Sequence, residues 1–589
     1  MCGIAGELRF DGSDPDPRRV RDMMARLEPR GPDGSGLVAR PRIVLGHRRL
    51  KIIDLSDRGA QPMRDEKLGL TIVFNGCIYN YSELRKELER DGHVFRSSSD
   101  TEVILRAYRT WGADCVDRFN GMFAFAIHDD ASGDTFMARD RLGIKPFYYH
   151  ESDNAFIFAS SLPALLAGGV EDTSLDPAAL HQYLSFHSVV PAPRTILRSV
   201  RKLPPATRLT LRRDGSRTED RYWRPSFRRN GASEQAFDEL RDEVSHALRR
   251  AVKRRMVADV PVGVLLSGGL DSSLVVGLLA ESGVRDLNTF TIGFESVKGE
   301  AGNEFPYSDI VAQEFGTTHH KLEISSEELV SHLPDCFAAM SEPMTSHDNI
   351  GFYLLSREVA RHVKVVQSGQ GADEVFGGYF WYAPLMDSLT PEADYARQFL
   401  DRDHDEMAEV LEAPYVGADY SRDFLARHFE QADAEHAVDK ALHIDTTVML
   451  VDDPVKRVDN MTMAWSLEAR VPFLDHELVE LAARVPPIMK VSDDGKYILK
   501  EAARSVLPPA VIDRPKGYFP VPELKYLRGR SLEFVRDALN SEACRERGLL
   551  RRGYVEKLLE NPDEHLTPLR GSKLWQIASL EVWLQTHAL

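Results

Sequence analysis

The 589-residue sequence has few cysteines, no excess of positive charge and no long apolar run. Each shortage removes a class of protein. The five cysteines, Cys2, Cys77, Cys115, Cys336 and Cys544, are scattered, odd in number and without metal-type spacing. They exclude a disulfide framework and fit a reducing compartment. A net charge of -17 leaves no basic face to displace the counterions of a nucleic acid. No apolar stretch approaches the ~20 residues of a membrane span, and no charged start followed by an apolar segment suggests export. These absences predict a cytoplasmic protein without nucleic-acid or membrane partners. Internal repeats and low-complexity segments are also missing. What remains is ordinary: 43% hydrophobic and 28% charged residues, in a chain too long for one core.

Two rhythms divide the chain. Up to about residue 200, short strand candidates at 4–8, 43–46, 70–74, 122–127, 135–138 and 156–159 are mixed with helices at 82–90 and 101–111. Many short strands with a few amphipathic helices predict layered sheets covered by helices, an α+β domain over residues 2–211. From 212 to 235 the pattern dissolves into Arg, Asp, Gly, Ser and Pro, which reads as a linker. Beyond it, strands at 262–266, 287–294 and 363–367 alternate with helices at 270–280 and 308–315. That alternation predicts an α/β domain over 236–589, a doubly wound parallel sheet with ligands at the carboxyl ends of its strands. Its C-terminal part reads as mostly helical.

Cys2 is the first residue that points to chemistry. Methionine is commonly trimmed before a small second residue, which would give Cys2 a free α-amine beside its thiol. An amine of pKa ~7.7–8.0 has a neutral fraction at physiological pH, so the nucleophile carries its own base. Cys2-Gly3-Ile4-Ala5-Gly6 sets it at the head of a strand with close-approach glycines. Gly46-His47-Arg48-Arg49-Leu50 supplies guanidinium groups that can grip a carboxylate. Asn75-Gly76 ends a strand and offers a side-chain amide and a backbone N–H, the donors of an oxyanion hole. Asp100, in Ser99-Asp100-Thr101-Glu102, either caps a helix or holds a substrate ammonium. A turn, a surface charge or a cap would explain each feature alone; all of them in this order leave those readings little room.

At these residues the sequence resembles class II glutamine amidotransferases, and specifically the glutaminase domain of asparagine synthetases. The resemblance implies an amino-terminal nucleophile sandwich, with Cys2 as nucleophile, Asn75 and Gly76 as oxyanion hole, and Arg49, Asn75 and Asp100 around glutamine. Residues 138–146, Ala-Arg-Asp-Arg-Leu-Gly-Ile-Lys-Pro, are also typical of that domain and are given a structural role.

The second domain carries an anion cradle. Ser267-Gly268-Gly269-Leu270-Asp271-Ser272-Ser273 follows a buried strand and opens a helix, so glycine N–H groups, serine hydroxyls and the helix N-terminus face one point. It lacks the Gly-Lys-Ser/Thr of a Walker loop. A carboxylate inside such a cradle, Asp271, makes sense if Mg²⁺ lies between it and phosphates. Ser368-Gly369-Gln370-Gly371-Ala372-Asp373 repeats the logic after another strand, with Asp373 as a second metal ligand. The pair resembles the pyrophosphate-loop ATPases, which cleave ATP between the α- and β-phosphates and transfer AMP to a carboxylate. That resemblance places ATP against Leu266, Ser267, Gly268, Gly269, Asp271, Ser272, Ser273, Ile292, Ser368 and Gly369. Residues 464–475 (AWSLEARVPFLD), 495–501 (GKYILKE) and 514–520 (RPKGYFP) extend the likeness to asparagine synthetases. By its place in the motif, Lys496 is the lysine that stabilises charge during amide formation.

Two departures bear on the acceptor. Asparagine synthetases usually carry Asn-Gly-Glu where this chain has Asn75-Gly76-Cys77, which leaves Asp100 to hold glutamine's amine. They usually carry Ser-Gly-Glu-Gly where this chain has Ser368-Gly369-Gln370-Gly371, so the acceptor pocket loses a charge. A neutral Gln370 suits an acceptor without a free ammonium, because an unpaired buried charge is costly. The segment 341–349 also differs from aspartate-binding versions. With Leu184-Ser185-Phe186-His187-Ser188-Val189-Val190, the whole is similar to the N-acetylglutaminylglutamine amidotransferases, which amidate a terminal carboxylate to make a bacterial osmoprotectant. The expected reaction is glutamine- and ATP-dependent amidation of that dipeptide, forming AMP and pyrophosphate with Mg²⁺. Aspartate is the alternative acceptor, and a glutaminase with a regulatory nucleotide-binding domain the alternative of another class. The sequence leaves a homodimer open.

Overall fold

The computed structural model describes residues 2–229, 236–515, 517 and 521–589. The first half holds β1 (Gly3–Arg9), β2 (Gly34–Arg40), β3 (Ile43–Arg49), β4 (Met63–Asp65), β5 (Leu70–Ile78), β6 (Gly121–Asp129), β7 (Thr135–Arg139), β8 (Tyr148–Glu151), β9 (Ala155–Ala159), β10 (Val200–Lys202), β11 (Thr207–Leu211) and β12 (Arg217–Arg221). They form two antiparallel sheets, ordered β10-β8-β9-β1-β3-β2 and β12-β11-β7-β6-β5-β4.

Period-two alternation decides the layers. Ile4, Leu45, Val73, Ala124 and Met137 meet between the two sheets. Their strand neighbours point outward. Ala5 and Val44 pack with Val20 and Met24 of the helix Pro17–Arg26. On the other side Phe74 and Phe125 pack with Leu84 and Val103, from the helices Tyr81–Arg90 and Asp100–Trp111. The result is a helix–sheet–sheet–helix sandwich.

In the second half β13 (Val262–Leu265), β14 (Asn288–Phe294), β15 (Thr318–Ile324), β16 (Val365–Gln367) and β17 (Glu468–Arg470) form one parallel sheet, ordered β15-β14-β13-β16-β17. The order runs outward from β13 in both directions, so the switch point lies between β13 and β16. The two glycine-rich loops leave the carboxyl ends of those adjacent strands, where such sheets bind ligands. The rest of the chain to Leu589 is mostly helical.

The stretch 212–235, read as a linker, is not structureless: β12 lies within it and pairs with β11. Every residue of β12 is exposed, so this edge strand lacks the apolar alternation that marks a half-buried one. Residues 230–235 of that stretch, and residues 516 and 518–520 of the motif at 514–520, lie outside the described residues. Among the described residues no helix is long and apolar enough to cross a membrane.

Candidate active site

Cys2 is buried at the mouth of β1 (8% exposed). Its backbone N–H donates to Asn75 Oδ1 at 3.1 Å, and its carbonyl accepts from Arg30 Nε at 3.2 Å. With Oδ1 engaged, Asn75 Nδ2 is a buried donor without a partner. Leaving such a group unpaired costs about 1–3 kcal/mol, so the site is built for an acceptor that arrives with a ligand. Gly76 follows on β5, where an added Cβ would meet Met122 O at 2.1 Å. Only glycine fits there.

Cys2, Arg49, Gly76, Cys77 and Asp100 line one small cavity. The Arg49 guanidinium is held by the carbonyls of Asp54 and Ser56, the latter at 2.8 Å. Ser99, not Asp100, caps the helix that starts here. Asp100 instead accepts from Ile78 N at 3.0 Å, and burial pushes its carboxyl up to about 6. Burial also raises the Cys2 thiol, against which the positive chain terminus works.

The cavity has two walls that sequence reasoning missed. Glu468 and Arg470 on β17 reach it from the second domain. They pair at 2.6 Å, and Arg470 Nη2 lies 3.8 Å from Cys77 Sγ. The Cys77 departure therefore faces an arginine of the other domain. Both residues sit in the stretch AWSLEARVPFLD; two charges of opposite sign in an otherwise apolar strand were the signal.

At the switch point the loop at residues 267–273 folds back on itself and packs against the second glycine-rich loop. Ser272 Oγ accepts from Ser267 N at 3.2 Å, and the two hydroxyls lie 3.1 Å apart. Gly268 has φ +79°, and a Cβ there would meet Ser308 N at 2.5 Å. A Cβ on Gly369 would meet Ser272 N at 2.8 Å, so the two loops pack backbone to backbone. Lys496 bridges them, its Nζ 2.8 Å from Asp271 Oδ2 and 3.0 Å from Asp373 Oδ1. These carboxylates hold the Lys496 ammonium well above its usual range. Two carboxylates that converge on one cation beside this glycine-rich turn are also the hard oxygen donors that would suit Mg²⁺.

A cavity of about 930 Å³ joins these groups to Leu266, Ser267, Gly269, Ile292, Ser368, Gly369 and Gln370. Its far side holds Asp348, Glu374, Tyr379 and Arg457, none of which the sequence singled out as site residues. Tyr379 donates to Glu374 at 2.7 Å, and burial, aided by Asp373, pushes Glu374 up to about 7. Arg457 Nη1 lies 3.4 Å from Asp453 and 3.7 Å from Asp348.

The domains meet along a buried ionic seam. Asp459 binds Arg30 at 2.8 Å and Lys145 at 3.2 Å, and Lys202 binds Asp452 at 2.7 Å and Glu342 at 2.9 Å. Lys145 belongs to the stretch 138–146 given a structural role. Arg139 and Asp140 do lock that loop, Arg139 through the carbonyls of Lys145 and Gly143 at 2.8 Å. Lys145 spans the seam as well.

Two family profiles cover this arrangement: a glutamine amidotransferase domain over residues 1–223 and asparagine synthase over residues 243–585. The chain belongs to the asparagine synthetase family. Asparagine synthetase [glutamine-hydrolyzing] 1 of Bacillus subtilis is 32% identical, aligned over 99% of this chain and 96% of its own length. Asparagine synthetase [glutamine-hydrolyzing] 3 of the same organism is 33% identical over 100% and 99%. Asparagine synthetase B of Escherichia coli is 29% identical over 88% and 82%. As a member of this family the chain is a glutamine amidotransferase and a carbon–nitrogen ligase, and the family's amidation consumes ATP.

Proposed function

We propose that this asparagine synthetase relative amidates the terminal carboxylate of N-acetylglutaminylglutamine. The observation that carries the acceptor is Gln370: a neutral side chain lines the cavity that also holds Lys496, Asp271 and Asp373. The geometry supports the following roles. Cys2, freed of Met1, attacks the glutamine side-chain amide while its α-amine takes the thiol proton. Asn75 Nδ2 and the Gly76 N–H receive the oxyanion, Arg49 the substrate carboxylate and Asp100 its ammonium. A thioester forms, ammonia leaves, and water then releases glutamate.

In the second cavity the acceptor carboxylate attacks the α-phosphorus of ATP, pyrophosphate departs, and an acyl-adenylate remains. Asp271 and Asp373 are the residues that would hold Mg²⁺, which when bound offsets charge on the phosphates. Lys496 stabilises the tetrahedral oxyanion as ammonia, conducted between the domains, adds to the acyl carbon and AMP leaves.

A second reading takes aspartate as acceptor. The Asp348–Arg457 pair favours it, since it offers an amino acid both charges of its head group, and the relatives are named asparagine synthetases. Steady-state kinetics with ammonia as nitrogen source distinguishes the two. Gln370→Glu would set a carboxylate near the acceptor's own and raise KM for the acetylated dipeptide, with a smaller effect on kcat. A wild type that prefers aspartate would overturn the acceptor.

A further inference from the structure

Between the helix Pro177–Ser185 and the helices His404–Val410 and Tyr420–Gln431 lies a cluster of titratable side chains that lines neither cavity. We propose that His181, His404 and Asp419 form a zinc(II) site that clips the end of the glutaminase domain to the helical part of the synthetase domain.

His181 is fully buried, and its Nε2 lies 3.2 Å from His404 Nδ1 and 3.9 Å from Asp419 Oδ1. All three ligand atoms fall within 4.8 Å of one another, the only such group among the described residues. Two imidazole nitrogens at ~2.0–2.1 Å from one tetrahedral zinc are themselves ~3.3 Å apart, so the histidines stand at ligand spacing already. The partly exposed Asp419 carboxylate, 3.9 Å from His181 Nε2, must swing inward to reach ligand distance from the pair. Its Oδ1 caps the following helix by accepting from Arg422 N at 3.1 Å, which keeps the carboxylate beside the two histidines.

The outer contacts fit as well. Ser421 Oγ lies 2.7 Å from His181 Nδ1, so that nitrogen can carry the proton and leave the Nε2 lone pair facing inward. On metal binding the proton in the His181–His404 contact moves to His404 Nε2, and both rings stay neutral. Two imidazoles and one carboxylate form a nitrogen–oxygen set of zinc type, with water completing the fourth position. The pair His428–His443, at 2.8 Å, has no third ligand among the described residues and serves as the internal comparison.

The test is titration of the metal-stripped full chain with Co(II) and with Zn(II). One equivalent of cobalt should bind, with visible d–d absorption and without a thiolate charge-transfer band, which separates this site from Cys2. His404→Ala should lose that equivalent, Ser421→Ala should weaken it by roughly 10–100-fold, and His428→Gln should leave it unchanged. Zinc should raise the Tm of wild type and not that of His404→Ala. Failure of wild type to bind an equivalent, or wild-type affinity in His404→Ala, would overturn the site. Should His404→Ala not fold, Asp419→Asn takes its place: weakened binding supports the site and unchanged affinity overturns it.

Discussion

Asn75 divides one amide between two tasks: its oxygen holds the Cys2 backbone and its nitrogen waits without a partner. A donor already aimed and already desolvated needs no reorganisation when negative charge develops. Asn75→Ala should therefore lower glutamine-dependent kcat by about 10²–10³ and leave ammonia-dependent synthesis intact. Cys2→Ala should abolish the first activity and spare the second. Loss of both activities in a folded variant would contradict the division of labour. Glu374 gives a pH-dependent counterpart in the other cavity. Its carboxyl is pushed up to about 7 by burial, so it stays protonated in the fold over a range where the unfolded chain has released its proton. The unfolded state then binds fewer protons, and stability falls as pH rises from about 4.5 to about 7. Between about pH 5 and about pH 8, wild type should lose up to about 3 kcal/mol more than Glu374→Gln. Urea unfolding at both values checks this, and parallel behaviour of the two proteins would refute it.

The element that brings Arg457 to the second cavity runs from the helix Ala437–Ile444 through π-helical turns at Asp445–Met449 and Val451–Val455 into the helix Lys456–Met463. Wide turns of this kind occur mostly at functional sites, and Pro454 sits in one of them, where a regular turn would lose its N–H. The stretch sends Asp452 and Asp459 into the domain seam and Arg457 into the cavity. It is anchored by Asp445, which accepts from the hydroxyls of Tyr382 and Tyr395 and from Trp381 Nε1 at 3.1 Å. Asp445→Ala would strand three buried donors, at about 1–3 kcal/mol each, and should destabilise the fold by several kcal/mol, measured by thermal unfolding. A near-neutral variant would mean that water replaces the carboxylate. None of this was legible in the sequence, because a π-turn has no apolar period of its own. What was legible had strong local signals: β5 and β6 carry short apolar runs, and both glycine-rich loops follow buried strands. Edge strands such as β12 have no buried face to report. Glu468 and Arg470 matter only because β17, about 390 residues from Cys77, is brought to the same cavity.

At the scale of the whole molecule, two cavities built on different sheets share a border. Glu468 closes the glutamine cavity from the synthetase side, and Arg30 ties the Cys2 carbonyl to Asp459. Removing one partner of a buried pair costs about 3–5 kcal/mol, so the seam holds the domains in register. Transfer of nitrogen from glutamine to a capped dipeptide is open to one direct measurement. The full chain, supplied with amide-¹⁵N glutamine, ATP, Mg²⁺ and equal amounts of N-acetylglutaminylglutamine and aspartate, is followed by mass spectrometry. The label should appear in the terminal amide of the dipeptide, with AMP and pyrophosphate formed in equal amounts. Labelled asparagine beside an untouched dipeptide would contradict it.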